Sequence, residues 1–355
     1  MIKVGILGAT GSVGQRFIQQ LQNHPWFQIT ELAASERSAG KSYREAVKWF
    51  LDEPMPESVK NMTVKNCDPT QLKCDLVFSG LDAEVAGEIE EDFAKNDFAV
   101  ISNSKNHRFD PDVPLLIPEV NPDHINIIPH QQKNRGYKKG FIVTNPNCSA
   151  IGLVIALKPL HDAFGVKKVF VTTMQALSGA GYPGVPSLDM IGNVIPFIGG
   201  EEPKIETETR KLLGDMKNNT FVNADMILSA HCNRVHVQDG HLECASVEFD
   251  KTPWKSPDEM VARVRDVLAN FSAEPQKLKL PFAPEHPIHI TEEDNRPQPR
   301  ADRNCEKGMA VTIGRIRPCN LFHVRFALLS HNTIRGAAGA AILNAELLYK
   351  KGYLG

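Results

Sequence analysis

The sequence predicts an α/β protein in two parts, a doubly wound parallel domain followed by an α+β domain with a mainly antiparallel sheet. Three observations carry this. Short apolar runs alternate with helical patterns through the first half, as strands and crossover helices do. A glycine-rich turn, Gly8-Ala9-Thr10-Gly11-Ser12-Val13-Gly14, follows the first run. In the second half the strand-like runs succeed one another without regular helical crossovers, which suits antiparallel pairing.

Ile2–Leu7 is a continuous apolar run, the pattern of a strand buried on both faces. The glycine turn and a helix with Phe17, Ile18 and Leu21 on one face come next. Strand, glycine turn and helix form the setting of a dinucleotide fingerprint. The glycines admit a pyrophosphate to the backbone, and the helix N-terminus supplies donors. The spacing is G-x-x-G-x-x-G, and a bare tight turn is the plainer reading. Residues 29–34 read as a second strand ending at Ser35-Glu36-Arg37-Ser38. Two hydroxyls and an arginine suit a 2′-phosphate, so NADP is favoured, although Glu36 points the other way and Arg37 could be a solvated charge. The cofactor candidates here are Gly8, Thr10, Gly11, Ser12, Val13, Ser35, Arg37 and Ser38.

Residues 48–67 read as irregular, 75–79 as a strand, 83–94 as an acidic helix and 98–102 as a further strand. The last leads into Asn103-Ser104-Lys105-Asn106-His107-Arg108. Ligands gather at the carboxyl ends of parallel strands, so Arg108 is either an anion binder or a plain surface arginine. Residues 111–129 read as a proline-punctuated connection and 131–140 as a polar, basic loop.

Phe141-Ile142-Val143 reads as a buried strand and residues 150–160 as a largely buried helix, with Thr144-Asn145-Pro146-Asn147-Cys148-Ser149 between them. Cys148 thus sits at a strand-to-helix turn, where free amides and the helix dipole favour a thiolate. The competing reading is an inert, buried thiol. Residues 167–175 read as a strand ending in a second glycine-rich turn, and 201–213 as a polar helix. Residues 224–237 and 241–249 read as strands joined through Gln238-Asp239-Gly240, an Asp-Gly hairpin signal. Residues 256–271 read as a helix with a serine cap, 279–307 as an extended excursion, and 311–317 and 321–329 as strands. Residues 332–349 read as an alanine-rich helix expected to pack back on the first domain.

The chain has 355 residues and a formal charge of −2, so no basic field points to nucleic acid or anionic lipid. Its seven cysteines contain no C-x-x-C pair, which argues against a zinc ribbon or disulfide framework and fits a reducing, cytoplasmic setting. No apolar run approaches the ~20 residues of a membrane span. The expected partner is a small-molecule substrate, and no metal site is expected.

A nucleophilic thiolate needs a base and a substrate clamp. His241 is the candidate base and Arg234 the candidate carboxylate clamp, brought together by the hairpin, with His236 a direct competitor. A nicotinamide domain, a reactive cysteine and a base together suggest redox chemistry through a thioester.

Six stretches carry a resemblance: Gly8 to Gly14, Ser102 to Arg108, Asn145-Pro146-Asn147-Cys148-Ser149, Gln175-Ala176-Leu177-Ser178-Gly179-Ala180-Gly181, Arg234 to His241, and Asn332-Thr333-Ile334-Arg335-Gly336-Ala337-Ala338-Gly339. Together, end to end and in order, they resemble the archaeal and fungal branch of the aspartate-semialdehyde dehydrogenases. The resemblance implies a Rossmann-type NADP-binding domain over 1–147 with 332–355, and a catalytic and oligomerisation domain over 148–331. It implies Cys148 as nucleophile, His241 as acid/base, and Gln175 as the residue that orients the acyl group. Arg234 would hold the α-carboxylate. Glu201, or its neighbour Glu202, would hold the amino group, and Lys204, Arg108 and Asn147 the phosphate. Ser178, Gly179 and Asn332 would lie against the cofactor. The implied reaction is reductive dephosphorylation of β-aspartyl phosphate, in lysine, threonine and methionine biosynthesis, by a homodimer or homotetramer. One departure is His236, where a proline is expected. Two rival readings are a malonyl-CoA or related acyl-CoA reductase, and a redox-sensing dinucleotide-binding scaffold without turnover.

Overall fold

The computed structural model describes residues 1–355. The first sheet is built from β1 (Ile2–Leu7), β2 (Phe27–Ala34), β3 (Val64–Asn66), β4 (Leu76–Ser79), β5 (Ala99–Ser102) and β6 (Phe141–Thr144). All its pairings are parallel, in the order β3-β2-β1-β4-β5-β6. Both faces are covered, so the short strands β4 and β6 are buried at every residue and are apolar up to a closing Ser79 and Thr144. Helices α1 (Ser12–Gln20) and α2 (Ala83–Lys95) lead from the carboxyl ends of β1 and β4. The strand order reverses between those two strands, where doubly wound sheets open a crevice.

Two stretches read as irregular are ordered. The edge strand β3 lies inside 48–67, too short for its alternation to register. The supposed loop at 131–140 is largely α3 (Ile128–Arg135), closed by Gly136 at φ 69°. That glycine after two basic residues was the available helix-stop signal.

Helix α4 (Cys148–Phe164) is apolar nearly all round, because it lies between both layers of the molecule. The second sheet contains β7 (Val166–Gln175), β10 (Ile227–Arg234), β11 (His241–Phe249), β12 (Ile288–Ile290), β13 (Val311–Pro318) and β14 (Val324–Ser330). A small hairpin of β8 (Asp215–Lys217) and β9 (Thr220–Val222) stands apart. The large sheet runs β10-β7-β11-β14-β13-β12, with three antiparallel and two parallel pairings.

That order corrects the expected hairpin. Strands β10 and β11 do not pair; β7 lies between them, parallel to one and antiparallel to the other. The Asp-Gly turn connects strands that flank a common neighbour. Arg234 and His241 therefore meet across Gln175, which is opposite Arg234 in register. Helix α5 (Glu201–Leu212) packs against α4 and β10. After a π-helical turn, Ile334–Ala338, the C-terminal α6 (Gly339–Lys350) joins the hydrophobic cluster of the first sheet, as expected from its alanine-rich pattern. The 279–307 stretch is ordered by β12 and two short helical turns.

Candidate active site

A cleft of about 1080 Å³ runs from the first glycine turn to the start of α4. Its walls carry Gly8, Thr10, Gly11, Ser12, Val13 and Ser35 at one end, and Cys148, Glu201 and Lys204 at the other, with Ser178, Gly179 and Asn332 between. The glycine turn fits a dinucleotide. Gly8 has φ 73°, and a Cβ there would fall 2.7 Å from the Gly80 carbonyl oxygen. A Cβ on Gly14 would fall 2.3 Å from the Gly8 oxygen, so only bare backbone closes this turn. No side chain caps the N-terminus of α1, which leaves its first amides for an anion.

Two expected cofactor residues do not line this cleft. Arg37 and Ser38 follow the lining residues Ser35 and Glu36 in a tight turn, with Ser38 N donating to Ser35 O at 2.8 Å, and Arg37 is exposed. Glu36, Asn66 and Asp68 line that end instead.

Cys148 is the first residue of α4. Its Sγ lies 3.2 Å from His241 Nε2. Gly336 of the π-helical turn presses on the cysteine from behind: a Cβ there would fall 2.7 Å from Cys148 Cβ. His241 is fully buried, and the Ala176 N–H donates to its Nδ1 at 3.0 Å. A ring nitrogen that accepts carries no proton, so the neutral ring holds its hydrogen on Nε2, facing the sulfur.

The expectation of a resting thiolate is corrected. Asn147 caps α4, its Oδ1 accepting from the Ser149 and Ala150 amides at 2.9 and 3.1 Å. Those donors are spent on the cap. Burial pushes the Cys148 thiol up to about 12, with Glu201 adding to the rise and Arg108 and Arg234 opposing it. Burial, with Arg234 and His331, pushes His241 down to about 3, so the free enzyme's imidazole does not titrate near neutrality. Thiol and imidazole both rest uncharged.

The other expected residues surround this pair. Arg234 donates from Nη1 to the Ala176 carbonyl at 2.6 Å, and Gln175 donates from Nε2 to Ser149 Oγ at 2.7 Å. Glu201 lines the cleft and pairs with Lys204 at 3.2 Å. Glu202 turns away and accepts from the Cys232 amide at 3.0 Å, which separates the two candidates. Asn147 also lines the cleft, with its side-chain amide bonded to the helix cap and to Glu201. Asn332 bridges the second glycine turn, donating to Ser178 Oγ at 2.8 Å while accepting from the Gly240 amide at 2.8 Å. His236 is exposed and lines a second cavity of about 430 Å³ with Arg16, Tyr182 and Asp239, so it does not compete for the sulfur.

Three residues near the site have no role assigned from the sequence. Glu208 lies on α5, on the same face as Glu201 and Lys204, and accepts from both Arg108 and the Asn147 amide. Glu243 lies on β11 two residues past His241, fully buried, and neither carboxyl oxygen has a partner. Burial and nearby Glu201 hold its pKa well above the usual carboxylate range. Arg335 is fully buried and forms a two-pronged pair with Glu119, which anchors the turn carrying Gly336.

Comparison with known proteins agrees with this geometry. Residues 3–128 match the family model for the semialdehyde dehydrogenase NAD-binding domain, and residues 157–335 match the semialdehyde dehydrogenase dimerisation domain. The aspartate-semialdehyde dehydrogenase of Schizosaccharomyces pombe is 52% identical over 99% of both chains. That of Methanothermobacter thermautotrophicus is 53% identical over 98% of this chain and 99% of its own. The crystal structure of aspartate semialdehyde dehydrogenase with NADP from Candida albicans superposes with a TM-score of 0.91, at 46% identity, over 99% of both chains. With archaeal and fungal relatives matched from end to end and a cysteine–histidine pair at the wall of a dinucleotide cleft, the chain belongs to the aspartate-semialdehyde dehydrogenase family.

Proposed function

We propose that this protein is an NADP-dependent aspartate-semialdehyde dehydrogenase, converting β-aspartyl phosphate to aspartate semialdehyde and phosphate. The observation that carries the reading is Cys148 Sγ at 3.2 Å from His241 Nε2, on a cleft that also holds the glycine turn. Gly8, Thr10, Gly11, Ser12 and Val13 would hold the cofactor's pyrophosphate, and Ser178, Gly179 and Asn332 would hold its reactive end. When bound, NADPH supplies the hydride.

The Cys148 sulfur attacks the acyl carbon, its thiol proton passing to the departing phosphate as the carbon–oxygen bond to phosphate breaks. His241 lends its Nε2–H to the oxygen on which negative charge develops. Because the ring is held neutral by Ala176, it acts through this hydrogen bond without first becoming imidazolium. Collapse of the reduced adduct breaks the carbon–sulfur bond and releases the sulfur as a thiolate, which takes a proton from solvent to restore the resting thiol. The proton consumed overall ends on the departing phosphate, whose charge Arg108 and Lys204 offset. Arg234 holds the substrate's α-carboxylate and Glu201 its ammonium group, while Gln175 fixes the wall beside the acyl group.

The test is phosphate-dependent reduction of NADP with aspartate semialdehyde. Cys148→Ser is expected to bind NADP normally and to lose turnover by at least about 10³-fold. Near-normal turnover of that variant would rule out the covalent route, and turnover indifferent to phosphate would rule out this acyl donor.

We also propose a homo-oligomer, a dimer or a tetramer, built through the second domain. The outer face of the second sheet and the segment beside it expose Phe170, Leu188, Ile191, Val194, Phe197 and Ile227. A cytoplasmic setting suits the seven unpaired cysteines. No helix is long and apolar enough to cross a membrane.

A further inference from the structure

Arg108 is held by a helix of the other half of the molecule. Its Nη1 donates to Glu208 Oε1 at 2.8 Å and its Nη2 to the Asn103 carbonyl at 2.9 Å. Its Nε is buried without a partner, although the residue lines the cleft. The second oxygen of Glu208 accepts from the Asn147 amide at 2.6 Å, one residue before the nucleophile. Glu208 is fully buried, so both bonds are shielded from water. One turn further along α5, Lys211 donates to the Arg108, Asp110 and Val113 carbonyls at 2.7, 3.3 and 3.1 Å. The loop that carries Arg108 is thus clamped at its backbone by one side chain of α5 and at its guanidinium by another.

We propose that Glu208 is a positioning residue for the anion subsite: by holding the guanidinium of Arg108 and the amide of Asn147 together, it aims Arg108 at the phosphate that Cys148 displaces. The geometry favours this over a purely structural ion pair. A pair serving only to join two layers would occupy the whole guanidinium. Here two of the five N–H groups are paired and three are left without a partner on a residue that lines the cleft, and the same carboxylate fixes the turn of the nucleophile. A guanidinium held through both terminal nitrogens presents its remaining donors to an anion without a further loss of side-chain freedom.

This inference rests on the phosphate-dependent reading above. The experiment measures initial rates of NADP reduction with phosphate and aspartate semialdehyde varied separately, for the parent, Glu208→Gln, Arg108→Lys and the double variant. Glutamine cannot accept from both donors, so Arg108 loses its fixed orientation. Glu208→Gln is expected to raise the KM for phosphate at least about tenfold, with the semialdehyde KM and NADP affinity within about twofold of the parent. Arg108→Lys added to Glu208→Gln is expected to cost far less than it does alone, because the two act as one unit. An unchanged or lowered phosphate KM, a parallel rise in both substrate KM values, or additive single effects would overturn the proposal. Should Glu208→Gln not fold, Glu208→Asp, which keeps the charge but shortens the reach, is read by the same criteria. A parent enzyme indifferent to phosphate would overturn the functional reading itself, and an altered phosphate KM is then not what fails.

Discussion

Cys148 shows how far position along a helix is from chemistry. A cysteine at a helix start is a good nucleophile only if the amides there are free. Asn147 takes them, and burial does the rest, so the resting sulfur is a thiol. Alkylation of Cys148 by iodoacetamide, read by peptide mass spectrometry in the free enzyme, is expected to rise about tenfold per pH unit from about pH 7 to about pH 10 without levelling. A plateau below about pH 8.5, the range of an ordinary thiol, would contradict the buried, protonated state. His241 teaches the same lesson. Its residue type suggests titration near neutrality, but burial, the nearby Arg234 guanidinium and the Ala176 amide keep the ring uncharged.

At the scale of elements, the second sheet places a polar row directly under the start of α4. Arg234, Gln175, His241 and Ser330 stand opposite one another in register, or share β7 as their neighbour. Glu243 lies one step further in, opposite Thr173, whose hydroxyl is also without a partner. In the unfolded chain its carboxyl ionises near pH 4, at about 4.3. In the fold it stays protonated well above that. Its contribution to stability is therefore complete below about pH 4 and is lost as pH rises, by up to about 1.4 kcal/mol per pH unit. Glu243→Gln cannot ionise, so its Tm relative to the parent is expected to climb from pH 5 to about pH 8. A Tm difference that does not vary with pH would refute this.

The elements themselves were largely legible. Apolar runs marked β1, β4, β5 and β6, and the apolar helix after Cys148 marked α4, because burial on both faces leaves an unbroken signal. The separation of β10 from β11 by β7 was not legible. An Asp-Gly turn reports local backbone shape and says nothing of a third strand inserted between its arms. Glu208 was missed for a related reason. Its partners, Arg108 and Asn147, lie 100 and 61 residues away in the chain, and only the packed structure brings them together.

At the scale of the whole molecule, the two sheets differ in what covers them. The first is sheathed on both faces. The second is covered by α4 on one face and leaves Phe170 and Ile227 exposed on the other. Burying such a face stabilises an assembly by roughly 25 cal/mol per Å² of apolar area removed from water. Sedimentation velocity is expected to show a dimer or larger species at micromolar concentration, and a single species at 39.3 kDa would refute self-association.

The return of α6 and its preceding turn to the first sheet sets an order on biosynthesis. A ribosome delivers residues 1–147 well before residues 332–350, yet the latter complete the hydrophobic cluster of the first sheet and press Gly336 against Cys148. The amino-terminal half must therefore wait, partly open, while the whole of the second half is translated. No partial product carries a finished catalytic pocket, so turnover begins only once the C-terminal segment has docked.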